Sequence, residues 1–130
     1  MNTLFCLALA AHMEARQHYK DPDALAAVVA VVQNRADDPR YPNNACKVIA
    51  EPGQFPWYTD GIKPVFDGYF DEQAWEAATA VAQAQLDGEG LGITSTHFHT
   101  LGQPQSWVSA FDMDGLYGGN VFYTNNTRYK

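Results

Sequence analysis

Residues 1–16 read MNTLFCLALAAHMEAR, an apolar run with one acidic residue, Glu14, near its end. Apolar residues recur in it at intervals of three and four, the spacing of one face of an α-helix: Leu4, Leu7, Ala8, Ala11 and Ala15. Glu14 lies about one turn past Ala10 and Ala11, on the flank of this face. The pattern predicts a core helix that carries Glu14 to the edge of the core.

This apolar run is as hydrophobic as a secretion signal but lacks the other features of one. It lacks the positively charged residues with which a signal begins, and cleavage after its small residues would leave Glu14 at the new amino terminus. It is also shorter than the roughly 20 apolar residues of a membrane-spanning helix. We therefore expect no signal peptide and no membrane insertion.

Length and composition favour one globular domain over residues 1–130. The hydrophobic fraction is 46% and the charged fraction 18%, as in folded proteins with a core. The net charge is -7, and the 8 Lys and Arg residues are scattered along the chain. Phosphate binding needs clustered basic residues, so nucleic acid is excluded as a partner and anionic lipid is disfavoured.

Two further long helices are predicted. Asp21-Pro22 is a helix start, because Asp caps free amides and Pro suits the first helical position. Asp71 begins the other helix, and Gly88 offers its end. Between them, residues 37–62 are rich in Pro, Asn and Gly, which predicts irregular structure with one short helix over 44–49.

The last third of the chain has the composition of short strands. Residues 94–100 and 120–124 are rich in β-branched and aromatic residues and are bracketed by glycines. Residues 112–115, Asp-Met-Asp-Gly, are more typical of a turn. The chain is therefore predicted to be a mainly helical α+β domain.

Cys6 and Cys46 both lie in apolar surroundings. A small buried thiol packs there as readily as Ala, so we expect two free structural thiols. A disulfide between them remains possible, because the sequence does not show whether they are close.

Several motifs follow one another in a fixed order: Ala11-His12-Met13-Glu14-Ala15-Arg16, Val32-Gln33-Asn34-Arg35, Tyr41-Pro42-Asn43-Asn44-Ala45-Cys46-Lys47-Val48-Ile49, Pro52-Gly53-Gln54-Phe55, Ser95-Thr96-His97-Phe98-His99 and Gly118-Gly119-Asn120-Val121-Phe122-Tyr123. In this order, from about Leu4 to Tyr123, the chain resembles the catalytic domain of the SleB-like cell wall hydrolases. The resemblance implies a lysozyme-like fold with a groove between two lobes. It also implies peptidoglycan glycan strands as the substrate, without a cofactor.

The resemblance makes Glu14 the single catalytic acid. Cleavage of a glycosidic bond needs a carboxylic acid whose pKa is raised by apolar surroundings, and Glu14 has apolar neighbours. The alternative is an ordinary surface glutamate paired with Arg16 or with His18.

No second Asp or Glu residue lies in a motif that indicates catalysis as clearly as that of Glu14. Asp112, Asp114 and Glu51 are all predicted to lie in loops or turns. Ordinary glycosidases use two carboxylates. This absence favours a lytic transglycosylase, in which the 6-hydroxyl of muramic acid attacks its own anomeric carbon to give a 1,6-anhydro product. A muramidase that uses water is the near alternative.

The remaining candidates for the groove are Gln54, Phe55, Trp57, Thr96, His97 and Tyr123. A Gln54 amide could both donate to and accept from acetamido and hydroxyl groups. Trp57, like Tyr58 and Trp107, is either a sugar-stacking platform or a core residue, and Phe55 is expected to serve packing as well. Tyr123 could direct its hydroxyl to the Glu14 carboxylate.

Two other functions stay open. His97 and His99 alternate onto one side of a strand and, with His12 or His18, could bind zinc in an amidase that cuts the bond between muramic acid and the peptide. A noncatalytic peptidoglycan-binding module is the third possibility. Under the first hypothesis the compact chain resembles a phage endolysin, a monomer that waits in the host cytoplasm until lysis and then acts on the wall in the periplasm. The alternative source is a larger bacterial or spore-cortex hydrolase of which the chain is a fragment.

Overall fold

The computed structural model describes residues 2–61 and 68–126, so the predicted end of the irregular segment at Ile62 lies outside the described residues. Within these ranges the order is helices first and strands last. The helices are α1 (Thr3–Ala15), α2 (Pro22–Ala36), α3 (Ala45–Ile49), α4 (Pro56–Thr59) and α5 (Gly68–Leu86), with short 3-10 turns at Arg16–His18 and Val108–Ala110. The strands are β1 (His97–Thr100), β2 (Asp112–Tyr117) and β3 (Asn120–Thr124). The prediction of a mainly helical α+β fold is confirmed.

Helix α1 is the centre of the helical part. The Asn2 side chain accepts a hydrogen bond from the Phe5 amide at 2.8 Å and so caps the helix. Every residue from Cys6 to His12 is buried, which is wider than the single apolar face predicted from the spacing. The reason is that α2, α3 and α5 all pack around α1, so it has little free surface before it reaches Glu14.

Helices α2 and α5 flank α1. The predicted start of α2 is confirmed, with the Asp21 carboxylate accepting from the Asp23 amide and Pro22 in the first turn. Helix α5 is described from Gly68, so the predicted start, Asp71, lies within its first turn. It buries an alanine at every fourth position, which lets the helices approach closely: Ala74, Ala78 and Ala82.

The three strands form an antiparallel sheet in the order β1-β3-β2. The turn predicted over residues 112–115 is wrong, because these residues begin β2 and pair with β3 through a bulge between Met113 and Gly115. Pairing with a neighbouring strand overrides the local turn preference of this stretch.

Gly118 makes the turn from β2 to β3 close against the helices. Its φ is +61°, a conformation that favours glycine at the first position of a two-residue hairpin turn. A Cβ atom there would lie 2.9 Å from the Ala24 Cβ and 3.3 Å from the His18 ring. The absence of a side chain therefore lets the sheet dock beside the end of α1 and the start of α2.

Cys6 and Cys46 form a disulfide, so the expectation of free thiols is wrong. Helix α3 packs on α1 and brings the two Cα atoms to 5.2 Å, although they are separated by 40 residues in sequence. The bond ties the helix that carries Glu14 to the segment that leads towards Gln54.

Among the residues that the structure describes, no helix is both long enough and apolar enough to cross a membrane.

Candidate active site

A groove of about 750 Å³ runs between the end of α1 and the sheet, a size within the range of ligand sites in proteins. Its lining comes from α1 and the following turn, from the end of α2, from the loop before α4 and the first residue of that helix, from β1 and the loop after it, and from the start of β3. The described residues that line it are Glu14, Gln17, His18, Arg35, Gly53, Gln54, Pro56, His97, Phe98, His99, Thr100, Gln103, Gln105, Trp107, Gly119 and Asn120. Five of these carry amide side chains, which suit neutral polar ligands such as N-acetylated sugars.

Glu14 is half-buried where α1 meets the groove, and the Trp57 indole Nε1–H donates to its Oε1 at 2.8 Å. Burial raises the pKa of Glu14, while the Trp57 hydrogen bond and the charge of Arg35 act to lower it. The first effect is the largest, so at a given pH a larger fraction of the Glu14 carboxyl group is protonated than in an exposed glutamate. Trp57, predicted as a platform or a core residue, is therefore a partner of Glu14.

Arg35 is a groove residue to which the sequence analysis assigned no role. It is 5% exposed, and its Nε–H donates to the Thr96 carbonyl at 2.7 Å while Nη1 donates to Gln54 Oε1 at 3.2 Å. The preceding residue, Asn34, donates to the carbonyls of Ile93 and Ser95, both at 2.9 Å. The signal available in the sequence was an Asn-Arg pair at the end of an Ala- and Val-rich helix.

His97 lies on the sheet side of the groove, against two aromatic rings that stack on each other. Its ring centroid is 5.0 Å from that of Trp107 and 4.8 Å from that of Phe111, and its Nδ1 is 2.9 Å from the Thr96 hydroxyl. Burial, followed by the charges of Arg35 and Arg40, lowers the pKa of His97 to about 4. At neutral pH His97 is therefore an uncharged hydrogen-bonding group.

Thr96 and Phe55, both predicted to contact substrate, are not among the described residues that line the groove. Thr96 is 5% exposed, and its hydroxyl lies 2.9 Å from His97 Nδ1. Phe55 is 1% exposed and belongs to the core, as its packing interpretation expected. Gln54 is exposed and lines the groove as predicted.

The hydroxyl of Tyr123 has a different partner from the predicted Glu14. It lies 3.0 Å from His99 Nε2, while His99 Nδ1 is 2.8 Å from the Thr100 carbonyl. A carbonyl only accepts, so Nδ1 carries a proton and, in the neutral ring, Nε2 accepts from Tyr123. Tyr123 pairs with His97 across β1 and β3, so it lies diagonally opposite His99. Its hydroxyl thus fixes the His99 ring in the groove wall.

The two aspartates named as possible second acids are engaged outside the groove. Asp114 accepts hydrogen bonds from Ser95 and, at 2.6 Å, from Thr124, and Asp112 accepts from Asn126 at 2.9 Å. Neither lines the groove, and Glu14 is the one carboxylate among its described lining residues.

The histidines proposed for zinc share the groove only in part. His12 is fully buried in α1, with its ring 5.6 Å from that of Trp75, whereas His18, His97 and His99 line the groove. In residues 2–61 and 68–126, no group of three or more His, Cys, Asp or Glu side chains is arranged to hold a metal ion.

The fold is mainly helical α+β, and its groove holds one half-buried carboxyl group. These are the features of an enzyme active site. The family described as Cell Wall Hydrolase matches residues 20–123, and the chain belongs to that family. The match begins after α1, so Glu14 lies outside the matched residues. No curated protein matches the chain.

Among solved structures, the chain is similar to the catalytic domain of the germination-specific lytic transglycosylase SleB from Bacillus anthracis. The TM-score is 0.67, with 21% sequence identity, and the match covers 95% of each chain. The fold expected from the sequence resemblance is therefore confirmed.

Glu14 should lower the stability of the protein near neutral pH. Its folded-state pKa is raised, so above the ordinary value of 4.5 the folded state holds a proton that the unfolded state has lost, and stability falls as pH rises. We expect Glu14→Gln to melt at a higher temperature than the wild type at pH 7, with the difference disappearing near pH 4. Thermal unfolding at the two pH values measures this. A variant less stable than the wild type at pH 7 would contradict the buried placement of the carboxylate.

His97 should titrate far below an ordinary histidine. Because its folded-state pKa is about 4, we expect its ring to stay neutral from pH 5 to 8 and its contribution to stability to rise between pH 4 and 6.5. An NMR titration of the ring carbons, assigned with His97→Gln, should give a midpoint near 4. A midpoint near 6.5 would show that the ring is solvated and free of the Arg35 and Arg40 charges.

Proposed function

We propose that the protein cleaves the glycosidic bond between MurNAc and GlcNAc in peptidoglycan as a lytic transglycosylase, with Glu14 as the one acid and base. The observation that carries this proposal is the half-buried Glu14 carboxyl group in a groove whose described lining holds no other carboxylate. The similar SleB domain is that of a lytic transglycosylase, which supports the same reaction here.

The proposed reaction has two half-reactions. In the first, the protonated Glu14 donates its proton to the glycosidic oxygen, and the bond from that oxygen to the anomeric carbon of MurNAc breaks with its electron pair leaving on the GlcNAc oxygen. In the second, the Glu14 carboxylate takes the proton of the MurNAc 6-hydroxyl as that oxygen bonds to the anomeric carbon. Glu14 is then protonated again, the product is a 1,6-anhydro sugar, and no second carboxylate is required.

The amide side chains suit this substrate. Gln54, Gln103, Gln105 and Asn120 offer donors and acceptors to acetamido and hydroxyl groups along the groove. Trp107 lies edge-on to His97, with 5.0 Å between ring centroids, and offers an aromatic face to a pyranose ring. These residues, with His97, are the proposed sugar-binding set.

The observations favour this function over the two alternatives. A zinc amidase would need a third ligand beside His97 and His99, and the described residues do not assemble one. A noncatalytic module would gain nothing from a carboxyl group that is costly to ionise.

We further propose that the protein acts as a monomer in an oxidising compartment such as the periplasm, where the wall lies. The Cys6–Cys46 disulfide supports the oxidising compartment, because such bonds persist in oxidising surroundings. The role of a phage endolysin, held in the host cytoplasm until lysis, stays a prediction.

Solubilisation of purified sacculi tests the proposal. We expect the wild-type protein to release soluble fragments equally well with and without EDTA, and Glu14→Gln to release none. The matched control is Glu76→Gln, the same chemical change at an exposed position of α5 outside the groove, which should keep full activity. Loss of activity in EDTA would overturn the metal-free mechanism, and an active Glu14→Gln would overturn the role of Glu14.

A further inference from the structure

Arg35 places a guanidinium group in the interior of the protein, at the base of the groove. The side chain is 5% exposed, and its plane lies near the rings of Tyr41 and Phe55, at 5.3 and 5.6 Å from their centroids. Burying a charge is costly unless its surroundings compensate for the lost water. Such a position therefore needs an explanation beyond packing.

Within the part of the chain that the structure describes, no direct ion pair neutralises the charge of Arg35. The ion pairs within 4 Å that involve the described arginines join Arg16 to Asp71 and Arg40 to Asp38. Arg35 instead donates to two neutral oxygens, those of Thr96 and Gln54. Its charge also interacts with Tyr41, Glu51 and Glu14, in decreasing order. The positive charge thus remains available to the groove and to Glu14.

Anchoring of the backbone does not require an arginine here. Asn34 already holds the chain that leads into β1, through the carbonyls of Ile93 and Ser95, with a neutral amide. What Arg35 adds to this anchor is a fixed positive charge and a contact with the Gln54 side chain.

That contact fixes the orientation of the Gln54 amide. An arginine only donates hydrogen bonds, so the oxygen of the amide must face Arg35. Its NH₂ group is then left to donate to a hydroxyl or an acetamido carbonyl in the groove.

We propose that Arg35 is a positioning residue of the reaction: it stabilises the Glu14 carboxylate when Glu14 acts as a base, and it holds the Gln54 amide with its NH₂ group towards the sugar. This inference rests on the proposed function. It adds to that function the Arg35 guanidinium group, whose charge lets the single carboxyl group of Glu14 serve in both half-reactions.

The balance of charges around Glu14 shows why such a residue is needed. Burial favours the protonated acid, which suits the first half-reaction, but the second needs the anion. Trp57 from α4 and Arg35 from α2 favour the anion.

The other titratable groups among the described residues that line the groove are histidines: His18 from the turn after α1, and His97 and His99 from β1. Of these, His97 is uncharged at neutral pH, because its pKa is about 4. Arg35 is the permanent cation in this set.

An NMR titration of the Glu14 carboxyl carbon, assigned by its absence in Glu14→Gln, tests the inference without requiring activity. We expect Arg35→Met to move the midpoint upward by about half a pH unit or more, because an opposite charge nearby has been removed. Arg35→Lys, which keeps the charge, should titrate close to the wild type. The matched control is Asn34→Ala, which weakens the neighbouring backbone anchor without changing a charge and should also keep the wild-type midpoint.

On sacculi at pH 7, we expect Arg35→Met to lose roughly tenfold or more in kcat, with a smaller change in KM. Should Arg35→Met not fold, Arg35→Gln keeps a donor for the Thr96 carbonyl and serves the same titration. An unchanged midpoint in the uncharged variants, or an equal rise in Asn34→Ala, would overturn the inference even where the wild type cleaves the wall through Glu14. A fully active Glu14→Gln would instead overturn the proposed function and leave the titration result standing.

Discussion

Replacing Glu14 by Gln is expected to stop cleavage of the wall while leaving the fold and the binding of glycan in place. The variant keeps an oxygen that can accept from Trp57 Nε1–H but has no proton to donate and no carboxylate to act as a base. General acid–base catalysis contributes about 10² to 10⁴-fold to a rate, and in the proposed mechanism Glu14 serves in both half-reactions. We therefore expect kcat to fall by at least about 10³-fold.

The rate of fragment release and the affinity for purified sacculi measure the two sides of this prediction. We expect the dissociation constant to change by less than about threefold, because the amide-bearing groove residues are untouched. A binding loss as large as the rate loss would mean that Glu14 holds the substrate instead of reacting with it.

The second large effect concerns stability. Removing the Cys6–Cys46 disulfide with the double variant Cys6→Ala and Cys46→Ala releases a loop of 40 residues in the unfolded chain. The chain-entropy argument gives about 4 kcal/mol for a loop of that length, within the usual range of about 2 to 5 kcal/mol for native disulfides. For a protein of this size, the melting temperature should fall by roughly 10 °C or more.

Thermal unfolding with and without reductant checks this prediction. Reductant should lower the melting temperature of the wild type to about that of the double variant and leave the variant unchanged. Equal melting temperatures for oxidised wild type and double variant would mean that α1 and α3 are held together by packing alone.

The elements predicted correctly are those with strong local signals. Helix α2 begins at Asp21-Pro22, where the capping side chain and the proline are adjacent in sequence. The short helix over 44–49 likewise has its own cap, because the Asn44 side chain accepts from the Lys47 amide at 2.9 Å. The position of Glu14 at the end of α1 follows from helical spacing in the same way.

The site was only partly predictable, because its pairings depend on contacts between distant parts of the chain. Arg35 reaches the Thr96 carbonyl across 61 residues, and Tyr123 meets His99 only through the register of β1 and β3. The disulfide likewise depends on how α3 packs on α1. A motif identifies such residues, but only the packed structure assigns their partners.

The alternation of side chains along β1 was also insufficient to assign the groove residues of that strand. It correctly separated His97 and His99 from Thr96, but it did not say which side faces the groove. The structure turns His97 and His99 into the groove and leaves Thr96 5% exposed behind them. The assignment of Thr96 to substrate binding stays a prediction, and its hydroxyl is engaged with His97 in the structure.

The most direct test of the central claim is mass spectrometry of the muropeptides released from purified sacculi by the wild-type protein without added metal. We predict glycan fragments that end in 1,6-anhydro-MurNAc, the product of Glu14 acting alone as acid and base. Fragments with reducing MurNAc ends would contradict the transglycosylase mechanism, because water would then be the attacking group. Free stem peptides with intact glycan would contradict cleavage of the glycosidic bond itself.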